Sequence, residues 1–228
     1  LALLGQMGAK IVHETRNFLT TIKGCSQLIE AIAKDDKVIQ YAKRINCNTD
    51  EVNGIISNFL SLSKPKKAML EEISFKDLLD SIKATIETSY LFRGINIDFK
   101  YDVDDRYILC DESQIKQVLL NICKNAAEAM SDMEDPKLVL EAGIIEDNNS
   151  VYIKISDNGI GMDEEILSKI GTAFFTTKQG GTGLGLSVCY DIVKQHGGQI
   201  NVSSQKGFGT SFTINLPGLE EEELDKVI

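Results

Sequence analysis

Residues 117–129 read QVLLNICKNAAEA, and this stretch decides the architecture of the second half of the chain. Its apolar residues recur at helical spacing, which predicts a helix over residues 111–131. Asn121 and Asn125 are four residues apart, so both amides lie on one face of that helix. Paired amide oxygens can bind Mg²⁺ directly or accept hydrogen bonds from its bound waters. Two such ligands are enough, because Mg²⁺ takes few protein ligands and relies on nucleotide phosphates for the rest. Alone, such a pair is more often a capping or surface feature.

A second motif, DNGIG at residues 157–161, follows a stretch whose alternating apolar residues predict a strand. The strand would deliver the Asp157 carboxylate to the edge of a pocket, where Gly159 and Gly161 allow a tight backbone turn. In this context Asp157 can accept a hydrogen bond from an adenine amino group. An isolated motif of this kind is often only a turn.

The third motif combines FFTTK at residues 174–178 with GGTGLGL at residues 180–186. Residues 158–182 show little periodicity and are predicted to form a long loop, which inside a compact domain is usually a functional lid. The glycines run into a helix predicted to begin near Leu184, presenting backbone N–H groups to phosphate oxygens, and Lys178 adds positive charge. A Rossmann site is excluded, because these glycines follow the lid rather than a first β-strand.

Taken in this order, the three motifs resemble the N, G1, F and G2 boxes of the ATP-binding domain of histidine kinases. That fold is shared with gyrase, Hsp90-type chaperones and MutL-like ATPases. The resemblance implies ATP and Mg²⁺ as cofactors, with Asn121 and Asn125 holding the metal and Asp157 recognising adenine. The nucleotide-binding positions that it implies are Asn121, Asn125, Asp157, Gly159, Gly161, Thr177, Lys178, Gly181, Thr182, Gly183, Leu184 and Gly185.

The first part of the chain shows heptad spacing in two predicted helices, separated by a polar turn at residues 34–37. The apolar rows of the first helix are Leu4, Ile11, Phe18, Cys25 and Ile32, beside Gly8, Thr15, Ile22 and Ile29. The second helix carries Val38, Ile45, Val52 and Phe59, flanked by Ala42, Thr49 and Ile56, and should end near Ser63, before Pro65. Two such helices cannot bury their stripes alone, so we expect a homodimeric four-helix bundle. The alternative is an intramolecular pair packed on the second domain.

His13 falls two residues past Ile11, outside the apolar rows, so its side chain is expected to face solvent. An exposed neutral imidazole is a good nucleophile, although most surface histidines have no function. A carboxylate bonded to Nδ1–H would leave Nε2 free to attack and could accept the displaced proton, and Glu14 is adjacent. The string HETRNFLT at residues 13–20 resembles the phosphoacceptor box of histidine kinases. The implied catalytic residues are His13, Glu14 and Asn17, the last to orient water for dephosphorylating a partner.

Three positions depart from the family pattern. Phe18 stands where the family usually has proline, so it restores a helical hydrogen bond and should add core volume instead of bending the helix. Thr15 replaces a common aliphatic residue on the predicted core face. Glu128 occupies an offset where many members place a lysine that touches phosphate, so this task is expected to pass to Lys178 or Lys124.

The fold class is therefore α followed by α/β: a helical-hairpin dimerisation domain, then a two-layer α/β sandwich that binds ATP. The predicted boundaries are 1–64 for dimerisation and histidine phosphotransfer, 65–72 for a linker, 73–217 for the catalytic domain and 218–228 for an acidic tail. Further helices are predicted at residues 74–90 and 183–196, and strands at residues 95–101, 137–146, 150–157, 199–204 and 210–216.

The resemblance spans residues 4–217 and implies a sensor histidine kinase catalytic core, similar to the sporulation-kinase and nitrogen-regulator-kinase branches. The resemblance implies that this chain phosphorylates its own His13 and passes the phosphoryl group to an aspartate on the receiver domain of a response regulator. A water-activating ATPase of the chaperone or mismatch-repair type is disfavoured, because those relatives carry a glutamate where this chain has Asn121, and a carboxamide is not a base. A pseudokinase should have lost glycines or asparagines, and here the motifs are intact.

Composition narrows the partners further. The net charge of −10 argues against nucleic acid, which normally requires a basic face. The five cysteines have no zinc spacing, so no metal beyond Mg²⁺ is expected, and they suggest reduced thiols in the cytoplasm. No apolar run approaches the roughly 20 residues of a membrane span, so a membrane is expected only through a missing N-terminal sensor part. His196, at a predicted helix end followed by two glycines, is interpreted as structural.

Overall fold

The computed structural model describes residues 2–63, 68–103, 106–145, 149–178 and 181–219. The chain folds into two compact units, Leu1–Lys66 and Lys67–Ile228. Within the described ranges, no helix is both long and apolar enough to cross a lipid bilayer.

The first unit is a helical hairpin made of α1 (Ala2–Ile32) and α2 (Asp36–Ser63). At the turn, the Asp35 carboxylate accepts a hydrogen bond from the backbone N–H of Lys37 at 2.8 Å, and the Asp35 carbonyl accepts from Ile39 at 3.0 Å. The Asp35 side chain thus satisfies one of the N–H groups that a helix leaves unpaired in its first turn. The two helices lie where the heptad pattern predicts them, but the turn is shorter than predicted, because α2 already begins at Asp36.

Small and polar side chains fill the interior of this hairpin. Ser26, Ala42 and Thr49 are buried, and the Ser26 hydroxyl donates to the Ala42 carbonyl at 2.6 Å. Small residues let the two helices approach closely, which leaves the larger apolar side chains on the outside. Among the side chains that the structure describes, the exposed members of the predicted rows are Phe18, Ile22, Cys25, Ile29, Ile32, Val38, Ile45 and Val52. Phe18, predicted to add core volume, is 69% exposed within one chain.

The second unit is built on a five-stranded sheet with the order β2-β4-β5-β7-β6. Strand β2 runs parallel to β4, and every other neighbouring pair is antiparallel. The strands are β2 (Asn96–Tyr101), β4 (Lys137–Ile145), β5 (Ser150–Asp157), β6 (Gln199–Gln205) and β7 (Gly209–Pro217). They lie within one or two residues of the predicted strands.

One face of this sheet is buried by helices. Leu140, Ile155 and Phe212 are aligned across three neighbouring strands, and all three are buried because alternate residues of a strand share a face. On the opposite face, Lys154 and Glu141 form an ion pair at 3.2 Å. The helices are α3 (Phe75–Thr88), α4 (Glu112–Ala129), α5 (Glu164–Leu167) and α6 (Gly185–Gln195), of which α4 and α6 contact the sheet and each other. The predicted fold class, α followed by a two-layer α/β sandwich, is confirmed.

Two short strands were not predicted. β1 (Glu71–Ser74) and β3 (Tyr107–Cys110) form a separate antiparallel pair. β1 starts inside the stretch predicted as a linker, 65–72, because Glu71 and Glu72 find partners on β3. The first residues of the predicted tail, Gly218 and Leu219, likewise bond to β3. The remaining boundaries stay predictions.

His196 joins the two central helices of this unit. It is buried at the end of α6, where Nδ1 donates to the Ile192 carbonyl at 2.8 Å. Nε2 accepts from the backbone N–H of Asp111 at 2.9 Å, and Asp111 is the N-cap residue of α4. The neutral ring with its proton on Nδ1 satisfies both contacts, which gives His196 a structural role.

Candidate active site

The core of the candidate site is the exposed side of α4. Asn121 and Asn125 lie one turn apart and are half-buried, while Leu119, Ile122 and Cys123 on the other side are buried. The Asp111 side chain caps the helix by accepting from the backbone N–H of Gln114 at 3.1 Å. The sequence therefore forms one apolar and one amide-bearing face, and packing decides which is presented to solvent.

A cysteine supports the first amide. The Asn121 side-chain N–H donates to the Cys189 sulfur at 3.8 Å, and the Cys189 thiol contacts the Val118 carbonyl at 3.9 Å. Burial raises the pKa of Cys189 to about 12, so the thiol keeps its proton and serves as donor to Val118. With its nitrogen held by sulfur, Asn121 directs its amide oxygen away from Cys189. The sequence motifs did not reveal this role of Cys189.

The second amide meets the lid. The Lys178 ammonium donates to the Asn125 side-chain oxygen at 3.0 Å and forms an ion pair with Glu128. Lys124 lies 3.8 Å from the same carboxylate. The backbone of Lys178 is held locally by the Thr176 hydroxyl at 3.1 Å. The predicted cofactor residues Asn125 and Lys178 are therefore brought together, and Glu128 lies between the two lysines.

Asp157 is the last residue of β5. Its side chain lies on the face of the sheet that packs against the helices, as do those of Ile153 and Ile155. Burial raises the pKa of Asp157, and hydrogen bonds from the backbones of Gly159 and Thr210 lower it in part. Thr210, buried on the neighbouring strand β7, was not among the predicted site residues. A partly buried carboxylate whose position is fixed by backbone hydrogen bonds is suited to accept a further hydrogen bond from a ligand N–H.

The two glycines after Asp157 are required by close backbone approach. A Cβ on Gly159 would lie 2.7 Å from the Ala129 carbonyl oxygen at the end of α4. Gly161 has a φ of +62°, and a Cβ there would lie 2.0 Å from the Gln205 carbonyl oxygen. This turn therefore packs against both the end of α4 and the β6–β7 hairpin.

The glycine-rich motif ends in an open helix terminus. α6 begins at Gly185, and Leu184 before it gives no side-chain cap, so N–H groups of the first turn lack a capping side chain. A donor set of this kind suits phosphate oxygens.

The base of the lid is closed by one backbone contact. The Phe174 N–H donates to the Gly183 carbonyl at 3.0 Å, and Gly183 adopts a φ of +66°. Gly181 passes close to Thr176, since a Cβ on it would lie 2.5 Å from the Thr176 hydroxyl. Thr177 is exposed, and the Thr182 hydroxyl accepts weakly from the Leu184 N–H at 3.5 Å.

The predicted catalytic residues lie in the other unit, on α1. The side chains of His13 and Glu14 fall outside the described residues, so their predicted exposure and contact stay predictions. Asn17, one helical turn after His13, is exposed, and its carbonyl accepts from the Thr21 hydroxyl at 3.1 Å.

Two family models match the two units. Residues 3–67 match the His Kinase A (phospho-acceptor) domain, and residues 110–220 match the Histidine kinase-, DNA gyrase B-, and HSP90-like ATPase. The solved catalytic domain of histidine kinase ThkA is 33% identical, with a TM-score of 0.55, over 65% of this chain and 95% of that domain. The chain belongs to the histidine kinases. This confirms the family that the sequence motifs indicate.

Other histidine kinases resemble the whole length of this one. Sporulation kinase A of Bacillus subtilis (strain 168) is 38% identical over 218 residues, which are 95% of this chain and 35% of that protein. ThkA solved in complex with the response regulator protein TrrA is 29% identical, with a TM-score of 0.63, over 95% of this chain and 62% of that one. The chain thus spans about a third to a half of the length of the curated relatives that it matches.

Proposed function

We propose that this histidine kinase chain transfers the γ-phosphoryl group of ATP to its own His13. The observation that carries the proposal is the pair Asn121 and Asn125 on one face of α4, with Lys178 on the Asn125 oxygen and no carboxylate at position 121. In the hydrolysing relatives of this fold that position supplies the base that activates water. A carboxamide does not accept a proton, so the site favours transfer to a nucleophile from outside the pocket.

The arrangement of donors and acceptors supports one orientation of the bound nucleotide, with its adenine at Asp157 and its phosphates at the start of α6. The desolvated Asp157 carboxylate suits the adenine amino group, and the open start of α6 suits the phosphates. The site also fits a magnesium ion, because the Asn125 side-chain oxygen accepts from a cation, the Lys178 ammonium, at 3.0 Å. Magnesium bound with the nucleotide would supply neutralisation of phosphate charge. Asn121 and Asn125 would hold it.

The transfer itself is a displacement in line at the γ-phosphorus. The bond from this phosphorus to the bridging oxygen of ADP breaks as a bond to Nε2 of His13 forms. The imidazole then carries a proton on Nδ1, which Glu14 accepts. The contribution of the chain is to position both partners and to place donors at the phosphates. The segment around Pro65 joins the two units, so we expect it to let one approach the other.

The test is incubation with γ-labelled ATP and Mg²⁺, comparing the wild-type chain with His13→Gln and Asn125→Ala. Acid-labile, alkali-stable label on the wild type alone is expected, because phosphohistidine has that stability pattern. Label that persists on His13→Gln would contradict the assignment of the acceptor. A wild-type chain that binds ATP and stays unlabelled would contradict the kinase function.

The active form is proposed to be a homodimer. The apolar rows of α1 and α2 remain exposed in one chain, with Ile32 at 77% and Phe18 at 69%, because the hairpin interior is filled by smaller residues. A second copy would cover them in a four-helix bundle. Sedimentation should show a dimer for the wild type and a shift to monomer for Ile45→Asp. Gln40→Asp on the same helix is the matched polar control.

The acceptor of the phosphoryl group is proposed to be an aspartate on a response-regulator receiver domain in the cytoplasm. ThkA, similar over 95% of this chain, has been solved with such a regulator, TrrA. Asn17, exposed and one turn beyond His13, is proposed to orient a water molecule that hydrolyses the phosphoaspartate of the regulator. An Asn17→Ala variant should slow that dephosphorylation. An unchanged rate would exclude this role of Asn17.

A further inference from the structure

A positively charged side chain of the same chain, Lys178, lies against the face of α4 that carries the asparagine amides. The Lys178 ammonium lies 3.0 Å from the Asn125 side-chain oxygen and forms an ion pair with the Glu128 carboxylate. Asn125 and Glu128 are three residues apart on one helix, so their oxygens lie on the same face. The two side chains therefore converge on a single positive charge.

Glu128 has a second cationic neighbour. Lys124, one turn earlier on α4, lies 3.8 Å from the other carboxylate oxygen of Glu128. If Lys178 leaves, Glu128 therefore keeps one partner and is not stranded without charge compensation. All three charged groups are partly exposed, and exposed pairs of this kind are individually weak. Lys178 is thus held by contacts that a stronger cation can replace.

The chemistry of the two oxygens favours such a cation. Mg²⁺ prefers hard oxygen ligands, and a carboxylate is a stronger ligand than an amide carbonyl. A positively charged lysine at position 128 would contact phosphate. The negatively charged Glu128 instead repels phosphate and attracts the metal ion that accompanies it. The presence of Glu128 therefore changes what this turn of α4 recognises.

We propose that Asn125 and Glu128 form one cation site, which the Lys178 ammonium fills in this structure. In the nucleotide complex the site receives the divalent metal, and Lys178 moves to the phosphate oxygens. Glu128 is thereby a metal-binding residue of the nucleotide site, directly or through a bound water, and Lys178 is an exchangeable occupant. This inference rests on the proposed function, because it takes the nucleotide to bind at α4.

The experiment uses Mn²⁺ as a spectroscopic probe with ADP, so that no phosphoryl transfer takes place. Free Mn²⁺ is counted by electron paramagnetic resonance during titration of the 228-residue chain. Glu128→Gln should weaken retention of Mn²⁺ in the ADP complex about tenfold, the range typical for loss of a residue that supports a metal site. At saturating ADP, Lys178→Met should lose less Mn²⁺ than Glu128→Gln, because the Lys178 ammonium has left the site when the metal is bound. Glu141→Gln is the matched control, because Glu141 also pairs with a lysine, Lys154 at 3.2 Å, on the sheet face opposite the helices.

A companion titration measures ADP affinity in EDTA. Glu128→Gln should bind metal-free ADP at least as well as the wild type, because a negative charge near the phosphates has been removed. Unchanged Mn²⁺ retention in Glu128→Gln, or a loss of the same size in Lys178→Met, would overturn the exchange. The failure of the kinase function would leave these measurements unaffected, since it is detected separately by the absence of label on His13.

Discussion

The Gly161→Ala variant tests how the adenine end of the site is built. Gly161 has a φ of +62°, a conformation that costs a residue with a Cβ about 1–2 kcal/mol. The added Cβ would also lie 2.0 Å from the Gln205 carbonyl oxygen, so the turn and the hairpin must separate. That separation removes the hydrogen bond from Gly207 to the Ile160 carbonyl at 2.7 Å, worth about 1 kcal/mol, besides the residual strain. We expect a loss of about 3 kcal/mol in the free energy of unfolding.

Gly207→Ala is the matched control, because Gly207 has a φ of +82° and a Cβ on it would meet nothing within 4 Å. Both variants share the cost of the left-handed backbone and the entropy that alanine removes from the unfolded chain, so their difference isolates the contact at Gln205. Thermal unfolding followed by far-ultraviolet circular dichroism should place Gly161→Ala about 2–8 °C below Gly207→Ala. A difference within about 1 °C would refute the steric reasoning.

Three further predictions concern buried polar groups. Burial raises the pKa of Asp157 in the folded chain above its value in the unfolded chain. Above the folded pKa the charged carboxylate therefore destabilises the fold, and this destabilisation is lost as the pH falls through the folded pKa towards the unfolded one. Asp157→Asn should therefore raise the melting temperature at neutral pH while abolishing binding of adenine nucleotides. Cys189→Ala removes the sulfur that holds Asn121, and calorimetric titration should show ADP affinity about fivefold weaker, with Cys189→Ser closer to wild type. His196→Leu leaves the Asp111 N–H unpaired, so urea denaturation should show a loss of about 1–3 kcal/mol.

Elements with a strong period were predictable from the sequence. β5 alternates buried and half-buried residues along Ser150–Asp157, and its pattern predicts the strand with the same bounds. β1 and β3 were missed because each has only four residues, and their pairing joins Glu71 to Cys110. Helix α5 was missed inside the predicted lid, because a four-residue helix shows no periodicity and depends on the Asp163 cap.

The site divides in the same way. Asn121, Asn125 and Asp157 could be chosen from local motifs, since each motif states a residue type at a fixed spacing from its neighbours. Cys189 and Thr210 could not, because tertiary packing alone brings α6 to Asn121 and β7 to Asp157. Glu128 was recognised only as a departure from the family pattern, and its two lysine partners became evident from the fold.

The contact between Phe174 and Gly183 limits how far the lid can travel. Their backbones touch so closely that a Cβ on Gly183 would lie 2.4 Å from the Phe174 carbonyl carbon. The segment between them is therefore a closed ring of chain, and its contour length limits its tip to about 15 Å from the anchor. Lys178 lies near the middle of that segment, so the anchor keeps its ammonium within reach of Asn125 and Glu128 on α4. A cut between Phe174 and Gly183 would remove this limit, because Lys178 would then be anchored from one side only.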